Sequence, residues 1–294
     1  MGLGSVGRVD TSELEHYLTP GVLTTLPADV VAGPARDVDA ARAAVQAVLV
    51  HAYWLGAYGL APEAARTDEP QVRPAAEMVW RLDALSSEPL WQPRPAARRF
   101  QCTCRSFSVL YVALLRAAGV PARARCGFAR YFEVGRLVDH WVVERWDGAR
   151  WVRDDPQLDA VQVEALQLDF DPYDQPAGHF LTGGEAWLAV RAGEIDPEAC
   201  GIGDVAGDWF VLGNVVRDLA AVSGMELLPW DAWGAMPGPD EPYDPAWYDE
   251  VARLTGADDL APARARYAAD PALRVPPRIA SFVGGRMVEV ELAL

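Results

Sequence analysis

The chain has 294 residues, of which 51% are hydrophobic and 23% are charged, a composition typical of globular proteins. With 26 basic against 42 acidic residues, the formal net charge is −16. Because an acidic surface repels nucleic-acid phosphates and anionic lipid headgroups, we expect neither nucleic acid nor a membrane as a partner.

The sequence contains no stretch of about eighteen apolar residues that would span a bilayer, and residues 1–10 have no signal-peptide pattern. Four cysteines in so long a chain are too few for a disulfide framework. We therefore predict a reducing, cytoplasmic location. All 26 basic residues are arginine, because the chain has no lysine.

The first part of the chain, residues 1–94, is predicted to be a helical extension packed on a central core. Apolar residues recur at helical spacing from Asp37 to Tyr58, with Asp37 or Asp39 as the N-cap. A second helix is predicted from Pro74 to Leu85. The proline-rich segment from Glu88 to Arg98 is predicted to be a loop that leads into the core.

The central part, residues 95–172, has the pattern of a helix followed by an antiparallel meander. Ser106–Ala118 has one apolar face and is followed by glycine and proline, which end helices. Strands are predicted at Ala122–Phe132, Val138–Trp146 and Arg150–Arg153, with an Asp-Gly turn between the last two. These elements predict an α+β fold in which a helix packs on an antiparallel sheet.

The last part, residues 173–294, is predicted to be mixed but mainly helical and to form one compact unit with the core. Helices are predicted at Gly183–Ala192, Trp209–Val222 and Asp244–Leu254, with proline- and glycine-rich loops between them. A single strand is predicted near the end, within Gly285–Leu294.

Three residues of the central part have the settings that thiol chemistry needs. Cys104 stands where the predicted helix begins, and a helix N-terminus favours a thiolate and offers backbone N–H groups to an anion. His140 lies within a predicted strand and is the candidate base. Asp155 comes one hairpin later, where it is expected to face back towards His140 and orient the ring, while alternation directs its neighbour Asp154 to the opposite face.

The motifs around these residues resemble those of the transglutaminase-like superfamily. The segment CRSFSVLYVALLRAAGVPARARCGFARYF is similar to the family's cysteine-bearing helix and following strand, DHWVVERWDG to its histidine strand, and WVRDDP to its aspartate strand. The resemblance covers about residues 98–160. It implies a papain- or transglutaminase-like core, with Cys104 as nucleophile, His140 as base and Asp155 as the orienting acid of a catalytic triad.

The resemblance further implies an oxyanion donor besides the backbone N–H of Cys104, for which Gln101 and Trp91 are the candidates. Asp139 and Glu144, which flank His140, are predicted to be solvated strand residues. The family often has glycine two residues before its cysteine, where this chain has Cys102, and we expect this side chain to be packed in the core.

These residues predict a cysteine enzyme that forms an acyl-enzyme on Cys104 and passes the acyl group to an amine or to water. Such an enzyme is an acyltransferase, or a hydrolase such as an amidase or peptidase. The expected donor is a peptide or a small molecule, and an amine acceptor would have to come from another molecule, since the chain has no lysine. No cofactor is predicted, and the oligomeric state is not readable from the sequence.

Two alternatives stay open at this point. One is a non-catalytic binding module that keeps the fold. The other is a zinc-structured protein that uses Cys102, Cys104, Cys126 and His140 as ligands, although the C-x-C spacing is uncommon for structural zinc.

Overall fold

A computed structural model describes residues 11–31, 36–86 and 89–293. Residues 1–10, where no signal peptide is predicted, and Glu88, the first residue of the predicted proline-rich loop, lie outside the described residues. The helices of the described residues, in chain order, are α1 Thr11–Leu18, α2 Ala28–Val31, α3 Val38–Val48, α4 Ala75–Leu85, α5 Cys104–Ala117, α6 Ala160–Leu166, α7 Gly183–Arg191, α8 Asp208–Val222, α9 Pro245–Thr255 and α10 Ala261–Ala269.

The strands of the described residues fall into a six-stranded, a three-stranded and a two-stranded sheet. In chain order they are β1 Leu49–His51, β2 Phe100–Cys102, β3 Ala122–Ala129, β4 Leu137–Trp146, β5 Trp151–Asp154, β6 Phe180–Thr182, β7 Cys200–Ile202, β8 Val205–Ala206, β9 Asp231–Ala232, β10 Arg278–Val283 and β11 Arg286–Glu291. This mixture of helix and sheet confirms the predicted α+β class.

The six-stranded sheet is built around β4, which pairs antiparallel with β3 along its length and with β5 at its C-terminal end. At the N-terminal end of β4, Leu137 and Val138 pair in parallel with β7. The middle of β4, which includes His140, therefore pairs with β3 on one edge. On its other edge, β5 and β7 pair only with the two ends of β4, so this middle part has no partner strand there among the described residues.

The sheet carries α5 on one face and α8 on the other. Ala124 of β3 belongs to the apolar core that contains α5, whereas the next residue, Arg125, forms an ion pair with Asp218 of α8. Successive side chains of a strand point to opposite faces, so these two contacts place the helices on opposite sides. The core around α5 also includes apolar residues of α3 and α4, so these two helices pack in the same core as α5.

The helix predicted from Asp37 to Tyr58 is wrong in its second half. Asp37 caps the helix as predicted, since its side chain accepts a hydrogen bond from the Ala40 N–H at 2.8 Å, but α3 ends at Val48. Residues 49–51 form β1, which pairs in parallel with β2, and a 3₁₀ helix follows over Ala52–Tyr58. The buried pairing with a segment about fifty residues away outweighs the local helical pattern.

The described residues of the C-terminal part form four α-helices and six short strands, and α7, α8 and α9 are close to their predicted bounds. The predicted final strand corresponds to β11, which pairs antiparallel with a strand that was not predicted, β10, and α10 was also not predicted. Residues of α7, α8 and α9 share a second apolar core. The domain boundaries at 94 and 172 stay a prediction. Within the described residues, every helix is too short or too polar to cross a membrane.

Candidate active site

Cys104 is the first residue of α5, directly after the N-cap residue Thr103. Its side chain is buried with 6% exposure, and it lines a cavity of about 270 Å³ together with Thr103 and His140. The 14-residue helix directs its N-terminal end, which carries a partial positive charge and backbone N–H groups, towards this cavity. An anion that forms at Cys104 would therefore be stabilised there.

His140 and Asp155 form a buried pair beside this thiol. The Nε2 atom of His140 lies 2.7 Å from Asp155 Oδ2, and both side chains are almost completely buried. Because Asp155 occupies Nε2, the Nδ1 atom is the ring nitrogen left to interact with Cys104, which lines the same cavity as His140. The three predicted residues are thus brought together at one site, although their catalytic roles stay predictions.

The protonation of His140 follows from two opposing effects. Burial lowers its pKa, but the charge and hydrogen bond of Asp155, with a further contribution from Cys104, outweigh burial and raise the pKa to about 10. The ring therefore carries a proton at neutral pH. A cationic imidazole next to a cysteine favours the thiolate, which is the nucleophilic form.

Asp155 is held in place by hydrogen bonds on both carboxylate oxygens. The Tyr131 hydroxyl donates to Oδ2 at 2.8 Å, and the Gln157 backbone N–H donates to Oδ1 at 3.0 Å. Tyr131 also packs edge-on against the His140 ring, with 5.9 Å between ring centroids. Tyr131 was not identified from the sequence, because it was placed inside a predicted strand that in fact ends at Ala129.

The neighbouring Asp154 faces away from the site. Its carboxylate accepts hydrogen bonds from Arg42 at 2.9 Å, Arg145 at 2.8 Å and the Tyr111 hydroxyl at 2.9 Å. Asp154 therefore joins α3, α5 and β4 in a structural cluster, and only Asp155 of the two faces His140.

The prediction that Asp139 and Glu144 are solvated is wrong. Asp139 is 7% exposed and accepts a hydrogen bond from the Asn214 side chain at 2.7 Å, and burial raises its pKa. Glu144 is 5% exposed and forms ion pairs with three arginines of the sheet, Arg123, Arg125 and Arg153. Asp139 is covered by Asn214 of α8, and Glu144 is enclosed by its arginine partners on β3 and β5.

The structure uses both candidate oxyanion side chains elsewhere. Gln101 donates to the Ala64 carbonyl at 2.8 Å and accepts from the Arg66 N–H at 2.7 Å. The Trp91 indole donates to the Val30 carbonyl at 2.9 Å. Neither residue lines the cavity next to Cys104. Their assignment as oxyanion donors was therefore a wrong expectation, because the stretch before Cys104 anchors a loop and a strand instead.

Cys102 is fully buried in the apolar core around α5, as expected for a packed residue. Burial, followed by the neighbouring Cys104, raises the pKa of its thiol well above the ordinary value. The proposed zinc ligands are not brought together, since no three His, Cys, Asp or Glu side chains of the described chain form a group that could hold a metal ion. Cys126 instead contacts Asn214, with 3.4 Å between sulfur and oxygen.

The cavity wall is mostly aromatic and aliphatic. Its apolar lining consists of Tyr53, Trp54, Phe132, Leu166, Ile202 and Trp230, among others. His51, which lies within the helix predicted from Asp37 to Tyr58, also lines it. A larger cavity of about 610 Å³ lies beyond Phe132 and Glu133, but its lining includes no cysteine.

Comparison with known proteins agrees with the motifs. A sequence profile of the transglutaminase-like superfamily matches residues 61–156, a segment that contains Cys104, His140 and Asp155. A solved structure of a protein from Cytophaga hutchinsonii, provisionally described as a cysteine protease, is 16% identical and has a TM-score of 0.23. The alignment covers 52% of this chain and 44% of that chain, so this chain spans less than half of its length. Comparison with curated proteins found no match. The profile match confirms that residues 61–156 resemble the transglutaminase-like superfamily, as the three motifs predicted.

Proposed function

We propose that the protein is a cysteine enzyme that forms an acyl-enzyme on Cys104 and passes the acyl group to water or to an amine. One observation carries the proposal. His140 is hydrogen-bonded to a buried carboxylate, Asp155, and it lines the same cavity as Cys104, which is large enough for a small acyl group. This is the arrangement of nucleophile, base and orienting group that acyl transfer requires.

The proposed reaction begins with attack of the Cys104 thiolate on an amide, ester or thioester carbonyl. A carbon–sulfur bond forms, and the carbonyl oxygen becomes an oxyanion that accepts a hydrogen bond from the backbone N–H of Cys104. The imidazolium of His140 then gives its Nδ1 proton to the leaving amine, alcohol or thiol as the bond to that group breaks. The product of this half-reaction is a thioester on Cys104.

In the second half-reaction, neutral His140 takes a proton from water or an amine as it attacks the thioester. Collapse of the new tetrahedral intermediate breaks the carbon–sulfur bond and restores the thiolate and the imidazolium. Hydrolysis and amide transfer share these steps, and the partition between them depends on how well the bound acceptor excludes water.

The lining of the cavity favours an uncharged acyl group. Aromatic and aliphatic side chains make up most of the wall, and its charged members besides His140 include the acidic Glu133 and Asp139. We therefore propose that the acyl donor is a small molecule or peptide with an apolar acyl group. Acidic acyl groups are expected to bind and react less well. The four free thiols of the described residues support the proposed reducing, cytoplasmic setting.

Acylation by an activated ester tests the proposal. Wild-type protein mixed with p-nitrophenyl butyrate should release a burst of one p-nitrophenolate per chain, and mass spectrometry should place the butyryl group on Cys104. Mono-p-nitrophenyl succinate has the same chain length with a terminal carboxylate, and we expect it to react more slowly. Cys104→Ala should abolish the burst.

Limiting iodoacetamide near pH 6 provides an independent control for the nucleophile. Burial raises the pKa of Cys126 well above its ordinary value and that of Cys200 to about 11, so both should react slowly. If Cys104 is labelled no faster than these two thiols and no burst occurs, the non-catalytic binding module becomes the better description.

A further inference from the structure

His51 lies at the wall of the candidate site although it is distant from Cys104 in sequence. It is the last residue of β1 and pairs in parallel register with Cys102, two residues before the thiol. Neighbouring strands are about 4.8 Å apart, so this pairing brings the imidazole to the N-terminal end of α5. His51 lines the same cavity as Thr103, Cys104 and His140.

The hydrogen bonding of His51 assigns its proton to one ring nitrogen. Its Nδ1 atom accepts a hydrogen bond from the Tyr53 backbone N–H at 3.2 Å, and a nitrogen that accepts carries no proton. In the neutral ring the proton is therefore on Nε2. Within the described residues the Nε2 atom has no hydrogen-bond partner, and the side chain keeps 7% exposure, so this donor is available to a molecule in the cavity.

His51 is neutral at neutral pH, whereas His140 is protonated. Burial, followed by the nearby charge of His140, lowers the pKa of His51 to about 3, so its ring is neutral over the working range of most enzymes. A neutral imidazole with Nδ1 occupied is unsuited to act as a base, but its Nε2–H is a fixed hydrogen-bond donor.

We propose that the Nε2–H of His51 is the second oxyanion donor of the site, acting together with the backbone N–H of Cys104. This assignment rests on the acyl-transfer function proposed above. The donor would hydrogen-bond to the carbonyl oxygen as it becomes an oxyanion, and no proton would leave His51 during the cycle. A preorganised donor is most effective when it is aimed at the developing charge before the reaction begins.

Thr103 is the rival donor at the same wall. Its hydroxyl is buried and has no hydrogen-bond partner among the described residues. A hydroxyl hydrogen rotates freely, however, whereas the proton of His51 is held in one direction by the Tyr53 hydrogen bond. The geometry therefore favours His51, and Thr103→Val is the matched variant that separates the two.

Two reagents distinguish an oxyanion donor from a residue that only shapes the site. Acylation of Cys104 by p-nitrophenyl butyrate passes through an oxyanion, whereas alkylation by iodoacetamide does not. We expect His51→Leu to slow acylation by about 10²–10³-fold, the usual effect of removing one oxyanion donor, and to change alkylation by less than about twofold. His51→Gln keeps an N–H donor and should recover most of the lost rate.

Several outcomes would overturn the assignment. Equal slowing of both reagents would indicate a positioning role, and unchanged acylation in His51→Leu would exclude the donor. If His51→Leu loses one limb of the pH profile for acylation, His51 acts as a base. If only Thr103→Val slows acylation strongly, Thr103 is the oxyanion donor. A wild type that alkylates but is never acylated would contradict the proposed function itself.

The tautomer can be measured without any substitution. Nitrogen-15 NMR of the histidine side chains in the wild type should show one neutral histidine protonated at Nε2 and unchanged down to about pH 4. His51→Gln should remove that signal, whereas His16→Gln, at an exposed position, should not. Protonation at Nδ1, or titration of this ring near pH 6.5, would refute the proposal even if His51→Leu fails to fold.

Discussion

Two adjacent carboxylates at the end of β5 occupy contrasting environments. Asp154 is surrounded by the guanidinium groups of Arg42 and Arg145, which stay charged at any physiological pH. Asp155 has a histidine, His140, and a tyrosine, Tyr131, as its side-chain partners. Both aspartates are completely buried.

The difference between the two clusters lies in which partner titrates. Arginine keeps its proton, so the Asp154 cluster is a fixed ionic anchor that links α3 to the sheet. Histidine exchanges a proton near neutral pH when its environment permits, so the Asp155 cluster sets the protonation of a reactive site. A one-residue step along a strand thus separates a structural role from a proposed chemical one.

The largest expected effect comes from Asp155→Asn. Without the carboxylate charge the pKa of His140 should fall, because burial then outweighs the remaining favourable contacts. We expect acylation of Cys104 by p-nitrophenyl butyrate to slow by on the order of 10³-fold or more, comparable to loss of the acid in other triads. Stopped-flow measurement of the burst tests this. A rate within tenfold of wild type would remove Asp155 from the mechanism.

Asp154→Asn should lower stability and leave the acylation rate nearly unchanged. It leaves the buried guanidinium groups of Arg42 and Arg145 without their carboxylate, and breaking a buried ion pair from one side costs about 3–5 kcal/mol. Denaturant unfolding should show this loss, while acylation per folded chain stays close to wild type. Asp174→Asn, which breaks an exposed pair with Arg150, is the control and should cost less than about 1 kcal/mol. Slow acylation with unchanged stability would contradict the division of roles.

The pH dependence of stability sharpens the same comparison. The pKa of His140 rises from 6.5 to about 10 on folding, so its protonated ring contributes stability that is fully present below pH 6.5 and is lost as the pH rises through about 10. The free energy of unfolding should therefore decline between these values. Asp155→Asn should flatten the decline, and Asp154→Asn should not. Equal slopes in wild type and Asp155→Asn would show that this pair does not govern the dependence.

Local patterns were sufficient to predict the part of the site that depends on local structure. The start of α5 follows from an apolar helical pattern, which placed Cys104 at its N-terminus. Alternation along β4 and β5 predicted that Asp155, and not Asp154, would face His140. These features depend on periodicity within one element or one hairpin, and the profile match over residues 61–156 covers the same region.

The remaining features depend on contacts between distant segments. His51 belongs to a stretch with helical spacing, and it becomes a strand residue only because β2 pairs with it about fifty residues later. Asp139 is buried because Asn214 of α8 packs against it from 75 residues away. Tyr131 reaches Asp155 because the chain leaves the sheet after Ala129. Local periodicity does not predict contacts between distant segments, so the residues that line the site were less predictable than its reactive residues.

The smallest expected effect, from Tyr131→Phe, tests how tightly the Asp155 cluster is held. The variant removes the hydrogen bond to Asp155 Oδ2 and a longer one from the Gln175 side chain at 3.2 Å, and it keeps the ring packed against His140. A single buried hydrogen bond contributes about 1 kcal/mol, so we expect a similar loss of stability and a several-fold slower acylation, measured by unfolding and by the burst rate.

Tyr173→Phe, which removes a hydroxyl that donates to the Leu158 carbonyl at 2.8 Å, is the matched control. It should lower stability without slowing acylation, because that hydroxyl does not contact Asp155. If both variants slow acylation equally, the Tyr131 hydroxyl has no special part in orienting the carboxylate, and the Gln157 N–H and the His140 ring are sufficient to hold it.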